Sequence, residues 1–305
     1  MRGEWVKLDF GDEEGLFHMN RTQRYAPFER GNHVHSTYEI YYLIDGERAY
    51  FIKDRTYSSS AGDLVFIPKS EVHKSLNCSN PAHERIVVNF SDRFLEGLGD
   101  ACGSDLFAPF GMPSHVLRLG ELEREAVLKL FERMERELAD RQPGYLNLVR
   151  LQLAELLLMA ARWTPRGETE AAAAVNTNPR HRKISDIVRH INEHYHEPMT
   201  LERLAGQFYI SPYHLSRAFK QVTGFTFIEY VTMTRVREAQ QLLARTGLKI
   251  IEIAAQVGYD SIAHFGRSFK QKTGLTPREY RRQAGLDADA TSNPYRGPFG
   301  DRARS

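Results

Sequence analysis

The stretch A-G-Q-F-Y-I-S-P-Y-H-L-S-R-A-F-K-Q-V-T-G-F-T-F-I-E-Y, Ala205 to Tyr230, returns fifty residues later as A-Q-V-G-Y-D-S-I-A-H-F-G-R-S-F-K-Q-K-T-G-L-T-P-R-E-Y, Ala255 to Tyr280. About half the positions are identical. They include Ser211/Ser261, His214/His264, Arg217/Arg267, Phe219-Lys220-Gln221/Phe269-Lys270-Gln271, Gly224/Gly274 and Glu229-Tyr230/Glu279-Tyr280. Self-similarity on this scale marks an internal repeat. Each copy carries the punctuation of two short helices around a tight turn. Thr200 is placed to cap a helix with Leu201, Leu204, Ala205 and Phe208 on one face, and Ser211 to cap the next, with Pro212 at its first position where a missing N–H costs nothing. In the second copy Gly258 ends the first helix and Ser261 caps the second.

On the second helix of the first copy, Leu215, Phe219 and Val222 recur at helical spacing and face a core, leaving Tyr213, Ser216, Arg217 and Lys220 outward. The matching outward set in the second copy is Ile262, Ala263, Gly266, Arg267 and Lys270. A helix, a turn and a helix with an exposed basic face describe the helix-turn-helix that reads double-stranded DNA. Between the copies, Ile228 to Ala244 reads as one helix, roughly 25 Å long at 1.5 Å per residue. Such a rod would set the two reading helices near one turn of B-DNA apart, about 34 Å.

On these residues Ile184 to Gln283 resembles the DNA-binding domain of the AraC/XylS family of bacterial transcription regulators. The most specific block is I-I-E-I-A-A-Q-V-G-Y-D-S-I-A-H-F-G-R-S-F-K-Q-K-T-G-L-T-P-R-E-Y-R. The resemblance implies two units reading one asymmetric half-site, with base contact from Tyr213, Ser216 and Arg217 in the first and Ile262, Ala263, Gly266 and Arg267 in the second. Three of that second set are apolar or lack a side chain. Hydrogen-bonded readout is therefore expected mainly from unit one, Ile262 and Ala263 touching at most thymine methyls. Arg267 and Lys270 would position unit two on phosphate.

The front of the chain changes character. Tyr38–Ile44, Ala49–Ile52, Leu64–Ile67 and Ile86–Phe90 read as short strands, separated by Asp45-Gly46 and Ala61-Gly62-Asp63, in a small antiparallel barrel or sandwich. Two amphipathic helices follow, 121–141 and 145–163, broken at Pro143-Gly144, as an antiparallel hairpin. The expected organisation is a barrel over 1–120, a hairpin over 121–163, a linker over 164–183, the repeat domain over 184–283 and a disordered tail over 284–305. The fold class is thus an all-β barrel with a helical hairpin, joined to an all-α domain.

Within the barrel, G-N-H-V-H-S-T-Y-E-I-Y-Y-L-I-D-G from Gly31 and G-D-L-V-F-I-P-K-S-E-V-H-K-S-L-N from Gly62 resemble the two cupin motifs, with Ser70 where the second motif usually has Gly. In metal-binding cupins the positions matching His33, His35, Glu39 and His73 are ligands, a donor set that suits Mn, Fe, Ni or Zn. In sensor domains that precede this DNA-binding domain, the same pattern often lines the pocket without metal. Tyr41 shares strand parity with Glu39, and Arg24 and Tyr25 precede them on a segment expected to cover the mouth. Planar aromatics among His, Arg and Glu suit a hydroxylated effector such as a sugar. The ligand class comes from the resemblance, as do the expectations of an activator, of a homodimer paired through the hairpin and of contact with RNA polymerase. A metal-dependent cupin enzyme, an isomerase or dioxygenase, fused to a DNA-binding domain is the alternative. No nucleophile elbow, phosphate loop or paired-Cys metal site appears.

Charge follows this division. The net charge of +2 combines 21 basic and 27 acidic side chains over residues 1–179 with 17 and 9 over residues 180–283, a split of −6 and +8 with a neutral tail. No apolar run approaches the roughly 18 residues of a membrane span. With two cysteines and no apolar leader, a cytoplasmic protein is expected.

Overall fold

The computed structural model describes residues 4–26, 37–76, 78, 80–103, 105–164 and 179–286. The chain divides into two compact units, one amino-terminal and one carboxyl-terminal.

The first unit is an antiparallel sheet of β1 (Glu4–Gly11), β2 (Phe17–Arg24), β3 (Tyr38–Ile52), β4 (Arg55–Ser60), β5 (Leu64–Ile67), β6 (His73–Leu76), β7 (His83–Phe90) and β8 (Val116–Leu117). Along the sheet the order is β1-β2-β7-β3-β5-β8, while β4 and β6 flank the far half of β3. Thus β3 belongs to both halves of the barrel: residues 39–42 pair with β5, and residues 47–52 pair with β4. The strand expected to stop at Ile44 instead continues through a register slip between Leu43 and Asp45. Asp45-Gly46 is a bulge within one strand, where a turn between two was expected. Gly46 sits there at φ +91°, and a Cβ would lie 2.5 Å from the Ala82 carbonyl oxygen. Only glycine combines that backbone with so close an approach.

Alternation along the strands separates two apolar layers. Phe17, Met19, Ile40, Tyr42, Ile86, Val88 and Phe90 pack with Leu130, Phe131, Met134, Leu153 and Leu157 of the hairpin, α2 (Glu121–Asp140) and α3 (Tyr145–Trp163), which follows the short α1 (Leu98–Cys102). Arg21 adds an ionic tie, its Nε 2.8 Å from Glu84 and its Nη1 2.9 Å from Glu135 on α2. Leu122, although apolar and at helical spacing with the buried residues of α2, is 80 % exposed, because it lies in the first turn of the helix. The opposite parity builds the inside of the barrel from Tyr41, Leu43, Tyr50, Ile52, Tyr57, Val65, Ile67, Val87 and Val116.

The second unit contains α4 (Pro179–His194), α5 (Leu201–Gln207), α6 (Pro212–Thr223), α7 (Phe227–Arg245), α8 (Ile250–Gln256), α9 (Ile262–Thr273) and α10 (Pro277–Leu286). Helix α4 begins five residues before Ile184, inside the expected linker. Proline at a first helical position and the charged Arg180, Arg182 and Lys183 suit a solvated first turn, although burial begins only at Ile184. The remainder of the expected linker, 165–178, and the tail beyond 286 lie outside the described residues.

The repeat is reproduced bond by bond. Ser211 and Ser261 accept from the backbone N–H groups of His214 and His264. Thr223 and Thr273 donate their hydroxyls to the carbonyls of Phe219 and Phe269, at 2.7 and 2.8 Å. Gly224 and Gly274 end the reading helices in the left-handed conformation. Thr226/Glu229 and Thr276/Glu279 cap the helices that follow. The turn differs: residues 208–210 separate α5 from its Ser cap, and residues 257–260 separate α8 from its own. The structural counterpart of Gly258 is therefore Tyr209, one position beyond the partner given by sequence alignment.

Candidate functional site

The reading helices α6 and α9 bury one face and open the other. Leu215, Phe219, Phe265 and Phe269 are fully buried. Tyr213, Ser216, Arg217 and Lys220 are exposed on α6, as are Ile262, Ala263, Arg267 and Lys270 on α9. Gly266 is half-buried, and a Cβ built there would meet nothing within 4 Å. Among the described residues, the side chains of Arg217, Lys220, Arg267 and Lys270 make no hydrogen bond or ion pair, so all four cations face solvent. Tyr213 (70 %) and Ile262 (50 %) are large apolar surfaces at the first turns of these helices, where a side chain enters a groove first.

One side chain from α7 ties the two helix-turn-helix units of the carboxyl-terminal domain together. Arg235 donates from Nε to the Tyr195 carbonyl (2.7 Å) and from Nη2 to the Glu197 carbonyl (2.9 Å), on the loop before α5. Its guanidinium lies 5.5 Å over the Tyr259 ring in the turn of unit two. Gly258 lets that turn close: at φ +87°, a Cβ there would stand 2.7 Å from the His196 carbonyl oxygen and 3.0 Å from the guanidinium.

Inside the barrel, the two cupin-like motifs meet. Glu39 and His73 are buried, with His73 Nε2 3.9 Å from Glu39 Oε1, and Asn89 Nδ2 donates to Glu39 Oε2 at 3.0 Å. A carbonyl only accepts, so His73 Nδ1, 2.8 Å from the Glu71 carbonyl, carries the proton and Nε2 turns toward Glu39. A metal-binding imidazole has the same outer hydrogen bond, so this pair fits two positions of the expected ligand set. The other two, His33 and His35, lie outside the described residues. Among the described residues no group of three or more His, Cys, Asp and Glu is placed to hold a metal ion.

Tyr41 is buried in the interior layer, its ring 4.8 Å from that of Tyr50. Arg24, expected to lie in a covering segment, is a buried residue at the end of β2, paired with His83 on β7. Tyr25 follows it and is 53 % exposed.

Sequence reasoning missed Arg48 and Arg85. Both are buried; Arg48 Nη2 donates to Ser75 Oγ at 2.7 Å, and Arg85 Nε donates to Thr22 Oγ1 at 3.2 Å while the guanidinium lies over the Tyr41 ring. Arginines in β-rich segments read as solvated. Their strand parity with Tyr50 and with Val87 was the available signal. His83 lies among these cations, its Nδ1 donating to the Pro81 carbonyl at 2.7 Å. Burial, followed by the charges of Arg48, Arg85 and Arg24, holds its imidazole down at about 4.

Residues 20–160 match the family model for the AraC-like ligand binding domain, and residues 204–283 match that for a helix-turn-helix domain. The chain is 26 % identical to the uncharacterized HTH-type transcriptional regulator YdiP of Escherichia coli K12, over 88 % of its own length and 89 % of that protein's. It is also 26 % identical to the HTH-type transcriptional activator RhaS of Escherichia fergusonii, over 84 % and 88 %. Among solved structures, the C-terminal domain of AraT from Geobacillus stearothermophilus is 33 % identical, with 40 % of this chain and 96 % of that one covered and a TM-score of 0.33. One model spans the barrel and hairpin, another the repeat, and the full-length relatives are regulators by name: the chain belongs to the AraC family of transcriptional regulators.

Proposed function

We propose that this chain is a transcription activator that reads double-stranded DNA with both helix-turn-helix units and responds to a small effector of carbohydrate character held inside its barrel. In this family the helix-turn-helix domain binds DNA and the ligand-binding domain takes small-molecule effectors. The observation that carries the finer reading is the pair of reading helices, each with its cations turned to solvent and, among the described residues, none in a salt bridge with a carboxylate. Tyr213, Ser216 and Arg217 make the hydrogen-bonded base contacts. Ile262, Ala263 and Gly266 allow close apolar approach, and Lys220, Arg267 and Lys270 neutralise phosphate. Activation is supported by the name of the RhaS relative. A carbohydrate-like effector is supported by the mixture of donors and acceptors at Glu39, Tyr41, His73 and Asn89.

The hairpin pairs two copies of the chain. In support, Leu148 and Leu151 are exposed, 46 % and 53 %, on the face of α3 turned away from its barrel. A homodimer would place four reading helices on tandem sites and raise avidity without new contacts. RNA polymerase is the further partner an activator needs. Footprinting of the purified chain on its own upstream region, with and without candidate sugars, tests the reading. Protection of two successive major grooves per subunit is expected, and protection of one groove would sink the two-unit reading. The enzyme alternative retains one supporting observation, the Glu39–His73 contact. It requires bound Mn, Fe, Ni or Zn in purified protein and turnover that His35→Ala abolishes.

A further inference from the structure

We propose that Arg48 and Arg85 form an anion-binding end of the barrel interior, so that the effector is a hydroxylated small molecule carrying a carboxylate or phosphate. The inference rests on the proposed sensor role and narrows its ligand class.

Buried charges are ordinarily paired, because leaving water costs a guanidinium several kcal/mol that only an opposite charge and a full set of hydrogen bonds offset. Arg21 obeys this rule with two carboxylates, Glu84 and Glu135. Arg48 and Arg85 are more deeply buried, 4 % and 8 % exposed, yet among the described residues their partners are the neutral hydroxyls of Ser75 and Thr22 and the Tyr41 ring. A guanidinium has five N–H donors, and most of theirs are unengaged there.

Three further polar groups lie on the same inner face. The Ser59 hydroxyl, in a side chain 2 % exposed, is buried without a hydrogen bond among the described residues, and the hydroxyls of Tyr41 and Tyr50, each 1 % exposed, have only each other nearby. Ser59 stands directly across from Arg48 in the β3–β4 register, and Tyr50 across from Ser75 in the β3–β6 register. The acidic group of the interior is remote. Arg85 pairs with Leu43 and Asn89 with Glu39, four residues apart along β3, on the order of 13 Å. The interior therefore has a cationic end at Arg48 and Arg85, with Arg24 and neutral His83 beside them, and an acidic end at Glu39. The two phenols lie between. A molecule with an anionic group at one end and hydroxyls along its length satisfies the guanidinium forks, then the phenols, then the carboxylate of Glu39.

The test is calorimetry and thermal melting of the full-length chain with hexuronates, aldonates and hexose phosphates, each beside its neutral hexose or alditol, and with benzoate. At least one hydroxylated anion should bind about tenfold or more tighter than its neutral counterpart. The uronate and phosphate arms identify the anionic group, and tight benzoate binding without any hydroxylated acid would overturn the hydroxylated class. Arg85→Met and Arg48→Met should each weaken that anion about tenfold while leaving or raising the melting temperature in anion-free buffer, and Arg85→Lys should retain part of the affinity. A structural role instead predicts lowered melting with anion affinity within twofold. Equal binding of the neutral compound would overturn the anionic class and leave the sensor role standing. Binding of nothing in the set would overturn both.

Discussion

Tyr209 in the first unit and Gly258 in the second hold the same place, the left-handed residue just past the first helix of each helix-turn-helix, at φ +52° and +87°. Glycine adopts this backbone freely, whereas a tyrosine with a Cβ is strained there by about 1–2 kcal/mol. The Tyr209 ring is 93 % exposed and recovers none of that by burial. Tyr209→Gly is expected to stabilise the carboxyl-terminal unit by about 0.5–1 kcal/mol, part of the released strain being lost to the greater entropy of an unfolded glycine. Gly258→Ala should destabilise it by about 2–3 kcal/mol, since strain and the contact with the His196 carbonyl add. Urea melts of both variants decide the matter, and a stable Gly258→Ala would contradict the tight turn.

Readout and positioning separate by salt. Arg217→Ala should cost about 1–3 kcal/mol at one base position and relax preference there. Lys270→Ala should weaken binding to all sequences alike and lower the salt slope by about 1. Anisotropy titrations at several salt concentrations, on the operator and on single-base variants, distinguish the two. Identical behaviour of the substitutions would erase the assigned division of labour.

Gly266 gives a test of groove approach that stability cannot imitate. A methyl there meets no protein atom, and alanine exceeds glycine in a helix by about 1 kcal/mol. Gly266→Ala should therefore raise the melting temperature while weakening DNA binding by about 1 kcal/mol or more. Unchanged affinity would mean that α9 does not approach the bases at this position.

Acid should loosen the barrel through His83. An unfolded histidine takes up its proton near pH 6.5, whereas the folded one waits until about 4, held down by burial and by Arg48 on β3, Arg85 on β7 and Arg24 on β2, against the opposing Pro81 carbonyl bond. Between those values the unfolded chain binds more protons, so stability rises with pH across the window. It is retained above 6.5, lost progressively down to about 4 and constant below, a change on the order of 3 kcal/mol. Melts from pH 7 to 4 should show the slope, and His83→Asn should flatten it. A slope of the same size in the variant would assign the effect to another group.

Legibility was uneven for a physical reason. The sequence bounds of helix α3 and strand β5, and the start of α6 at Pro212 after its Ser211 cap, coincide with those observed, because each buries apolar residues against an apolar layer between clear capping or turn residues. Strands β2 and β4, F-H-M-N-R-T-Q-R and R-T-Y-S-S-S, were not read at all. Their inward residues include Thr22, Arg24 and Ser59, so the polarity of the barrel interior erased the alternation that announces a strand. The same polarity concealed Arg48 and Arg85. Asp45-Gly46 carries the signature of a hairpin, and only the pairing of β3 with β7 on both sides of it distinguishes a bulge. Exposed positions on the reading helices were legible because two copies of one pattern averaged out local ambiguity.

Arg235 gives the repeat a metric. Its bonds to the loop before α5 and its seat over Tyr259 come from a single guanidinium on the helix that joins the units, so neither unit swivels without breaking contacts of the other. The carboxyl-terminal unit consequently acts as a ruler on the duplex. On the proposed two-groove reading, an operator lengthened by a few base pairs between the grooves should place the second out of phase and bind more weakly, because the Arg235 contacts oppose the swivel needed to follow it.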